Sequence, residues 1–375
     1  MRSRLPSARS LSIWAAITIL VLVVAAMLFA GSGLYSVAAS RGHFAVTTWF
    51  LDFALRRSVI LHSRFIEAPP LDDADLVRLG AAHFETGCAP CHGSPLTRSN
   101  PIPRSMLPPP PPLDHAARDW SAEQLFWIVK NGLKYTGMPA WPAQRRDDEV
   151  WPVVAFLSRL PDLSPAEYRA LALGSASAPA RRSIAGLRAD LADCARCHGD
   201  QGSPPPSRLV PKLSGQSATY LVAALRHYAD GTRPSGVMQA VAAALDAGEI
   251  TRIAERYAAQ TDGGIDADHP PEQVERGRRI AVEGLTRQGV PPCIACHGAR
   301  SNPMFPRLAG QNPRYIVSQL QLWQRGGRDL TVLGAVMAPI ARRLDVGQIA
   351  AVAAYFASLP ATRAEAADPA PERRP

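Results

Sequence analysis

Two hydrophobic patterns dominate the chain: an unbroken apolar run near the N-terminus and periodic apolar positions in its second half. The run extends from Leu11 to Ala30 without a charged residue, and about twenty residues of helix span the hydrocarbon layer of a bilayer. Strand-like alternation is absent, so the sequence predicts an all-α chain that begins with a transmembrane helix. The periodic positions, which fall on one face of a helix in each case, are Ile250, Ile253, Ala254 and Tyr257, and Ile349, Val352, Ala353 and Phe356.

The charges that flank the apolar run predict its orientation. Arg2, Arg4 and Arg9 precede it, and the next basic residue is Arg41. Because basic flanks stay in the cytoplasm, we expect a single-pass protein of the bacterial inner membrane, with everything after residue 31 on the periplasmic side. A cleaved signal peptide is the alternative, although the apolar region of such a peptide is usually only about 7–15 residues long.

An internal repeat occupies the second half of the chain. Both copies contain a Pro-x-Leu-x-Gly-Gln element, then a tyrosine, an arginine and a methionine at matching positions, which predicts two related units. The matching elements are Pro211–Gln216 and Pro306–Gln311, Tyr220 and Tyr315, Arg233 and Arg328, and Met238 and Met337.

Composition shifts predict the domain organisation. Five prolines from Pro108 to Pro112 exclude helix there and predict an extended loop inside the first domain. The predicted segments are a cytoplasmic tip and membrane anchor (1–31), a juxtamembrane segment (32–70), a first domain (71–162), a linker (163–182), a second domain (183–261), a linker (262–271), a third domain (272–360) and a disordered tail (361–375).

The chain is basic, with a formal net charge of +9. Such a balance suits nucleic acid, an anionic membrane surface or an acidic protein partner. The sequence contains no nucleic-acid module and no dense stripe of lysine and arginine, so nucleic acid is not a predicted partner.

All six cysteines lie in three Cys-x-x-Cys-His motifs, and none is left over. Two thiols three positions apart can each add to one vinyl group of a haem, and the next imidazole then lies beneath the iron as the proximal ligand. The motifs therefore predict three covalently bound haem c groups. Their residues are Cys88, Cys91 and His92; Cys194, Cys197 and His198; and Cys293, Cys296 and His297.

Other chemistry fits the cysteine motifs less well. A zinc site needs four ligands in one place, and the pairs lie about a hundred residues apart. A redox dithiol does not need the histidine that follows each pair.

A second axial ligand decides between an electron carrier, whose iron is closed, and a catalyst, whose iron has an open face. Met138, Met238 and Met337 follow the three motif histidines by 46, 40 and 40 residues and are the predicted distal ligands. Met106 is the weaker alternative to Met138, whereas Met304 follows its motif too closely.

A few further polar residues stay open at this point. Arg233 and Arg328 could pair with haem propionates or be solvated on the surface. His83 precedes Cys88 by about one helical turn, but we do not expect it to be a ligand.

These motifs resemble those of class I cytochromes c. Residues 183–360 resemble the diheme cytochrome c4 family, whose halves carry the same Cys-x-x-Cys-His-Gly, Pro-x-Leu-x-Gly-Gln and distal Met elements. Residues 71–161 resemble a single-haem domain of oxidase and dehydrogenase complexes, with a Gly-Met-Pro element at Met138. The resemblance implies three tandem all-α cytochrome c domains, each with its N- and C-terminal helices packed crosswise and its haem in a cleft. The stretch before Cys194 departs from this pattern, so its first helix is expected to be weak.

The sequence thus predicts a membrane-anchored periplasmic electron carrier with three His/Met-ligated haems c and no catalytic residues or small-molecule substrate of its own. Its partners would be a donor and an acceptor redox protein, both bound to the membrane, and the membrane itself through the N-terminal helix. The alternatives are an electron-transfer subunit of a periplasmic dehydrogenase or terminal oxidase and, in a different class, a haem enzyme such as a peroxidase.

Overall fold

The regular secondary structure of the described part of the chain consists of helices. The structure is a computed structural model, and it describes residues 8–174, 191–200, 203–260, 269–298 and 301–360. Within these ranges the only extended pairing is a single bridge between Leu285 and Val290. The all-α prediction is confirmed for these residues, while the predicted tail over 361–375 lies outside them.

The helices fall into an N-terminal pair and three groups, which we call the first unit (residues 71–174), the second unit (191–260) and the third unit (269–360). The N-terminal pair is α1 (Ala8–Gly31) and α2 (Ala45–Ser63). The first unit contains α3 (Ala74–Gly87), α4 (Ala89–His92), α5 (Pro101–Arg104), α6 (Leu113–Ala116), α7 (Ala122–Asn131), α8 (Asp147–Arg159) and α9 (Pro165–Ala172). The second contains α10 (Leu191–His198), α11 (Ala218–Ala229), α12 (Met238–Ala242) and α13 (Ala247–Ala258). The third contains α14 (Pro271–Glu283), α15 (Ile294–His297), α16 (Pro313–Gln324), α17 (Val332–Arg342) and α18 (Val346–Ser358).

Each unit has its own hydrophobic cluster. In the first and third units the opening helix packs on a later one, α3 on α8 and α14 on α18, and a glycine lies at each crossing. A Cβ at Gly80 would overlap the carbonyl of Pro152, and one at Gly277 would overlap the carbonyl of Ala351. In these two units the opening helix therefore packs on a later helix, as the resemblance implied. In the second unit most of the corresponding stretch lies outside the described residues.

The two periodic patterns read from the sequence form α13 and α18. All eight positions of the two faces are buried. Each helix begins with a capping box, in which Asp246 and Asp345 accept from the third residue of the helix and the side chain of that residue accepts from the cap. Because a capping box satisfies two otherwise unpaired donors, it fixes where each helix begins.

Part of the predicted linker over 163–182 is helical. Its described portion includes α9, which packs against α3, and the phenol of Tyr168 donates to the carboxylate of Glu85. Tyr168 is fully buried. The chain therefore stays attached to the first unit for about another ten residues beyond the predicted end at residue 162.

Helix α1 contains the apolar run. Its segment Ser12–Gly31 is 20 residues long and is exposed along its length. Length and composition suit a membrane span, and a signal sequence has the same two properties.

Candidate haem sites and the contacts between them

Each Cys-x-x-Cys-His motif lies in or beside one short helical turn. His92 and His297 donate their backbone N–H to the carbonyls of Cys88 and Cys293, both at 2.9 Å. One turn therefore brings two thiols and an imidazole together, as covalent attachment of a haem requires. The second motif, from Cys194 to His198, forms the C-terminal part of α10.

The three motif histidines make the same hydrogen bond. Nδ1 lies 2.8, 2.9 and 2.8 Å from the carbonyl oxygens of Pro111, Pro211 and Pro306 for His92, His198 and His297 respectively. A carbonyl accepts only from a protonated nitrogen, so this contact keeps the proton on Nδ1 and leaves the Nε2 lone pair for a metal. The residues present thus fit a haem iron in all three places.

The prolines that accept these bonds were not predicted as part of the site. Pro211 and Pro306 open the repeated Pro-x-Leu-x-Gly-Gln element, and Pro111 belongs to the five-proline loop. The repeat could have pointed to Pro211 and Pro306, and the proline run could have pointed to Pro111. The extended loop from Pro108 to Pro112 is confirmed, and it carries an acceptor for His92.

Burial sets the protonation of the site. It lowers the pKa of His92, His198 and His297, although the hydrogen bond to each proline carbonyl opposes the shift. The imidazoles are therefore neutral near pH 7, which is the form that binds iron. Burial also raises the pKa of the Cys88 thiol to about 12 and that of Cys293 to about 11.

The cysteine sulfurs are not paired with one another as disulfides. Across the described ranges, which include all three motifs, no three histidine, cysteine, aspartate or glutamate side chains cluster as a metal site would require. The zinc interpretation therefore gains no support from the fold.

The predicted methionine ligands lie on segments separate from the motifs. Met138 is in the loop between α7 and α8, Met238 is the first residue of α12 and Met337 lies within α17, all half-buried. The sulfur of Met106 lies against Gly137, so the weaker candidate is beside the stronger one. Ligation by Met138, Met238 and Met337 stays a prediction.

Two glutamines join the second and third units reciprocally. Gln216 donates to the carbonyl of Arg307 at 2.8 Å and accepts from its N–H at 3.0 Å. Gln311 likewise donates to the carbonyl of Lys212 at 3.0 Å and accepts from its N–H at 2.9 Å. Lys212 and Arg307 directly follow Pro211 and Pro306, so each glutamine holds the segment that orients the histidine of the other unit.

The same interface holds two arginines near each other. Arg233 contacts the hydroxyls of Tyr220 and Tyr315 at 3.4 and 3.2 Å. Burial and the charge of Arg233 lower the pKa of Arg328. In the described ranges no salt bridge joins either arginine to a carboxylate. Two such cations in one interface favour an anionic group between them, and the haem propionates are anions of that kind.

The first and second units meet around the carboxylate of Glu149. It pairs with Arg146 at 2.8 Å and accepts from the hydroxyl of Ser235 and the N–H of Gly236, both at 2.6 Å. The indole of Trp141 covers Gly236 so closely that an added Cβ would overlap it. Arg146, Glu149, Ser235 and Trp141 are all buried. The contact thus joins the loop that carries Met138 to the segment that leads into Met238.

A second contact joins the first unit to the other two. Asp75 accepts from Arg208 at 2.8 Å and from Arg314 at 2.6 Å, and Asp73 also pairs with Arg314. The hydrogen bond from Arg314 lowers the pKa of Asp73. For Asp75 burial acts in the opposite direction, but the bonds from Arg208 and Arg314 outweigh it and lower the pKa.

His83 lies beside the first motif and faces the second. Its ring centroid is 4.9 Å from that of Trp141, and its Nδ1 is buried without a hydrogen bond. Burial and the charge of Arg196, which lies between the cysteines of the second motif, lower its pKa to about 4. His83 is thus a neutral packing residue at this interface.

Comparison with known proteins finds relatives of this chain among the c-type cytochromes. The family model of cytochrome c oxidase, cbb3-type, subunit III matches residues 75–157. A thiosulfate dehydrogenase electron acceptor of Thiomonas intermedia is 35% identical over 50% of this chain and 88% of its own length. Cytochrome c4 of Pseudomonas aeruginosa is 31% identical over 46% and 86%. A solved cytochrome c4 of Acidithiobacillus ferrooxidans is 35% identical, covering 44% of this chain and 98% of that one, with a TM-score of 0.41.

Helical units with Cys-x-x-Cys-His turns and these relatives define a c-type cytochrome, an electron carrier that binds haem c and is not itself a catalytic subunit. Within that class the chain belongs to the cytochrome c4 family, as the resemblance of residues 183–360 predicted.

Proposed function

We propose that this protein is a membrane-anchored periplasmic carrier with three haems c, one for each Cys-x-x-Cys-His motif. The observation that carries the proposal is the bond from Nδ1 to a proline carbonyl, which recurs at His92, His198 and His297. In a motif that binds no haem, nothing would require the imidazole to keep this orientation. The six cysteines would form the thioethers, and Met138, Met238 and Met337 would complete the iron coordination.

The contacts between the units support transfer of electrons along the chain. The Glu149 contact ties the Met138 loop to the segment before Met238, and the paired glutamines tie the second unit to the third. Buried, polar and specific contacts of this kind hold the sites in fixed relative positions. Arg233 and Arg328 would neutralise propionates between the second and third sites, which also favours a high reduction potential.

Helix α1 supports the anchor, with the cytoplasmic side at the N-terminus. An anchored carrier has a raised effective concentration near membrane-bound donors and acceptors. The alternative is a cleaved signal, after which the same units would be released into the periplasm.

A second candidate is an electron-transfer subunit that links a periplasmic dehydrogenase to a terminal oxidase. Two observations favour it: the oxidase-subunit family model matches the first unit, and relatives of this chain are named electron acceptors of thiosulfate dehydrogenase. Purification of the protein from its native membrane with a mild crosslinker would identify such an enzyme, whereas a free carrier would be recovered without a stoichiometric partner.

The haem count tests the proposal directly. Pyridine haemochrome absorbance of the purified full-length protein should give three haems per chain. Replacing both cysteines of one motif by alanine, in three separate variants, should give two haems each. A parent protein with two haems, or a motif whose replacement changes nothing, contradicts the proposal. Intact mass of the protein recovered from membranes, with residues 12–31 retained or removed, distinguishes the anchor from a cleaved signal.

A further inference from the structure

Helix α2 (Ala45–Ser63) has one face fixed to the first unit. Val59 and Ser63 are buried, and the ring of His62 lies 5.6 Å from that of Trp127 on α7. The helix is therefore a fixed part of the surface of this unit and not a loose tether. No function was predicted for it from the sequence.

A second face of α2 is apolar and exposed. Val46, Trp49, Phe53 and Ile60 are 69%, 65%, 51% and 47% exposed. Their spacings of three, four and seven residues place them on one side of the helix, and we call them the α2 stripe. Trp49 and Phe53 stack with a centroid separation of 5.8 Å. An exposed stripe with two stacked aromatic residues is unusual on a soluble surface and marks a binding face.

The charges around the stripe suit a lipid surface. Arg57 lies beside it and Arg64 follows the helix, while Asp52, the only acidic residue within the helix, is paired with Arg56 at 3.2 Å. Apolar and aromatic side chains on one side of a helix, with arginines beside them, are typical of helices that lie in the interface of an anionic bilayer. Long arginine side chains can reach the headgroups from such a position.

The short connection between α1 and α2 also favours a lipid surface as the partner of the α2 stripe. Helix α1 ends at Gly31 and α2 begins at Ala45, so only residues 32–44 separate the predicted membrane span from the stripe. Within this connection Leu34, Val37 and Phe44 are 79%, 92% and 63% exposed. A chain that leaves the bilayer at residue 31 thus reaches α2 through a short and partly apolar segment.

We propose that α2 lies in the surface of the lipid bilayer, with the α2 stripe at the boundary between headgroups and acyl chains. The inference rests on the proposed anchoring by α1 and goes beyond it. A single anchor would leave the first unit free to tumble on residues 32–44, whereas α2 would hold that unit against the membrane in one orientation. Membrane-bound redox partners would then meet a fixed face of the first unit.

Spin labels can measure the depth of the stripe in full-length holoprotein. Because the native cysteines are consumed by haem attachment in the proposed function, a single introduced cysteine can be labelled uniquely. The variants are Phe53→Cys and Trp49→Cys on the stripe, Leu20→Cys within the span, and Val346→Cys on the exposed start of α18 as the aqueous reference. Each is reconstituted in vesicles of three parts phosphatidylcholine to one part phosphatidylglycerol, and collision rates with oxygen and with a neutral nickel chelate are compared.

The proposal predicts that the ratio of oxygen to nickel collisions at residues 53 and 49 exceeds that at residue 346 at least several-fold and approaches that at residue 20. A ratio at both stripe positions equal to that at residue 346, with residue 20 in lipid, overturns the inference and leaves the anchor intact. An aqueous ratio at residue 20 instead refutes the anchor itself. Labels at 53 and 49 that are shielded from both reagents would also overturn the inference, because a protein surface would then cover the stripe.

Discussion

Replacing Gln311 by alanine should destabilise the interface between the second and third units. The side chain of Gln311 accepts from the N–H of Lys212 at 2.9 Å and donates to its carbonyl at 3.0 Å. Gln311 is 5% exposed and Lys212 is 3% exposed, so bulk water does not reach the two backbone groups in the folded protein. The variant removes the partner of the N–H and the carbonyl of Lys212 and also of the N–H of Asn312, which donates to the same oxygen of Gln311 at 3.0 Å.

The size of the effect follows from the backbone groups that lose this side chain. A buried backbone group that loses its hydrogen bond costs about 1–3 kcal/mol. The cavity left by the shortened side chain can admit water, which would recover part of that loss. We therefore expect the free energy of unfolding to fall by about 2–4 kcal/mol. Gln216→Ala should cost a similar amount, because Gln216 makes the matching pair of bonds to Arg307.

Urea unfolding of the full-length holoprotein, followed by far-ultraviolet circular dichroism and by the haem absorbance, measures this loss. Gln288→Ala is the matched control, because Gln288 is exposed, and substitutions at such positions usually change stability by less than about 0.5 kcal/mol. If Gln216→Ala and Gln311→Ala are as stable as the control, the reciprocal glutamine bonds do not hold the two units together.

Three further predictions concern other contacts. Glu149→Leu leaves the hydroxyl of Ser235 and the N–H of Gly236 buried without their acceptor, so it should cost about 2–4 kcal/mol in urea unfolding. Arg146 keeps its pairing with Asp148 in this variant. A loss below about 1 kcal/mol would mean that water replaces the missing carboxylate. Gly277→Ala should destabilise the third unit by about 1–3 kcal/mol because the added methyl overlaps the neighbouring helix, and an unchanged urea midpoint would show that α14 and α18 do not cross so closely. The hydrogen bond from Arg314 lowers the pKa of Asp73 below its ordinary value of 3.8. The stability that this ion pair adds to the folded protein is therefore complete above pH 3.8, and it is lost as the pH falls through the lower pKa that Asp73 has in the folded protein. Limited pepsin digestion from pH 5 to pH 2 should therefore show the first unit detaching at the acid end, and Arg314→Gln should remove that pH dependence; equal digestion profiles for the two proteins would contradict it.

The sequence was most informative where the signal is local. Two helix faces, on α13 and α18, follow from the spacing of apolar residues, and both are buried as predicted. The Cys-x-x-Cys-His turns are equally local, since one helical turn places all three side chains. Adjacent residues fully specify such features, so no knowledge of the tertiary fold is needed.

The contacts between units could not be predicted, because they depend on residues far apart in the chain. Glu149 and Gly236 are 87 positions apart, and Gln311 and Lys212 are 99 apart. A buried glutamate or glutamine looks in the sequence like an exposed one. Similarly, the capping box at Ser164 that begins α9 lay inside a stretch whose composition predicted a linker. The composition of a stretch gives its average polarity, but it does not show that Tyr168 donates a buried hydrogen bond to Glu85.

The central claim, that three haems with His and Met ligands serve as an electron carrier, is tested most directly by a spectroscopic redox titration of the purified full-length protein with haem quantified per chain. We predict three low-spin haems, each showing the weak ferric absorption of a Met–iron bond, and each variant Met138→Ala, Met238→Ala and Met337→Ala should remove one third of that absorption. A high-spin haem in the parent protein, or a methionine variant that leaves the absorption unchanged, would contradict the account at that site.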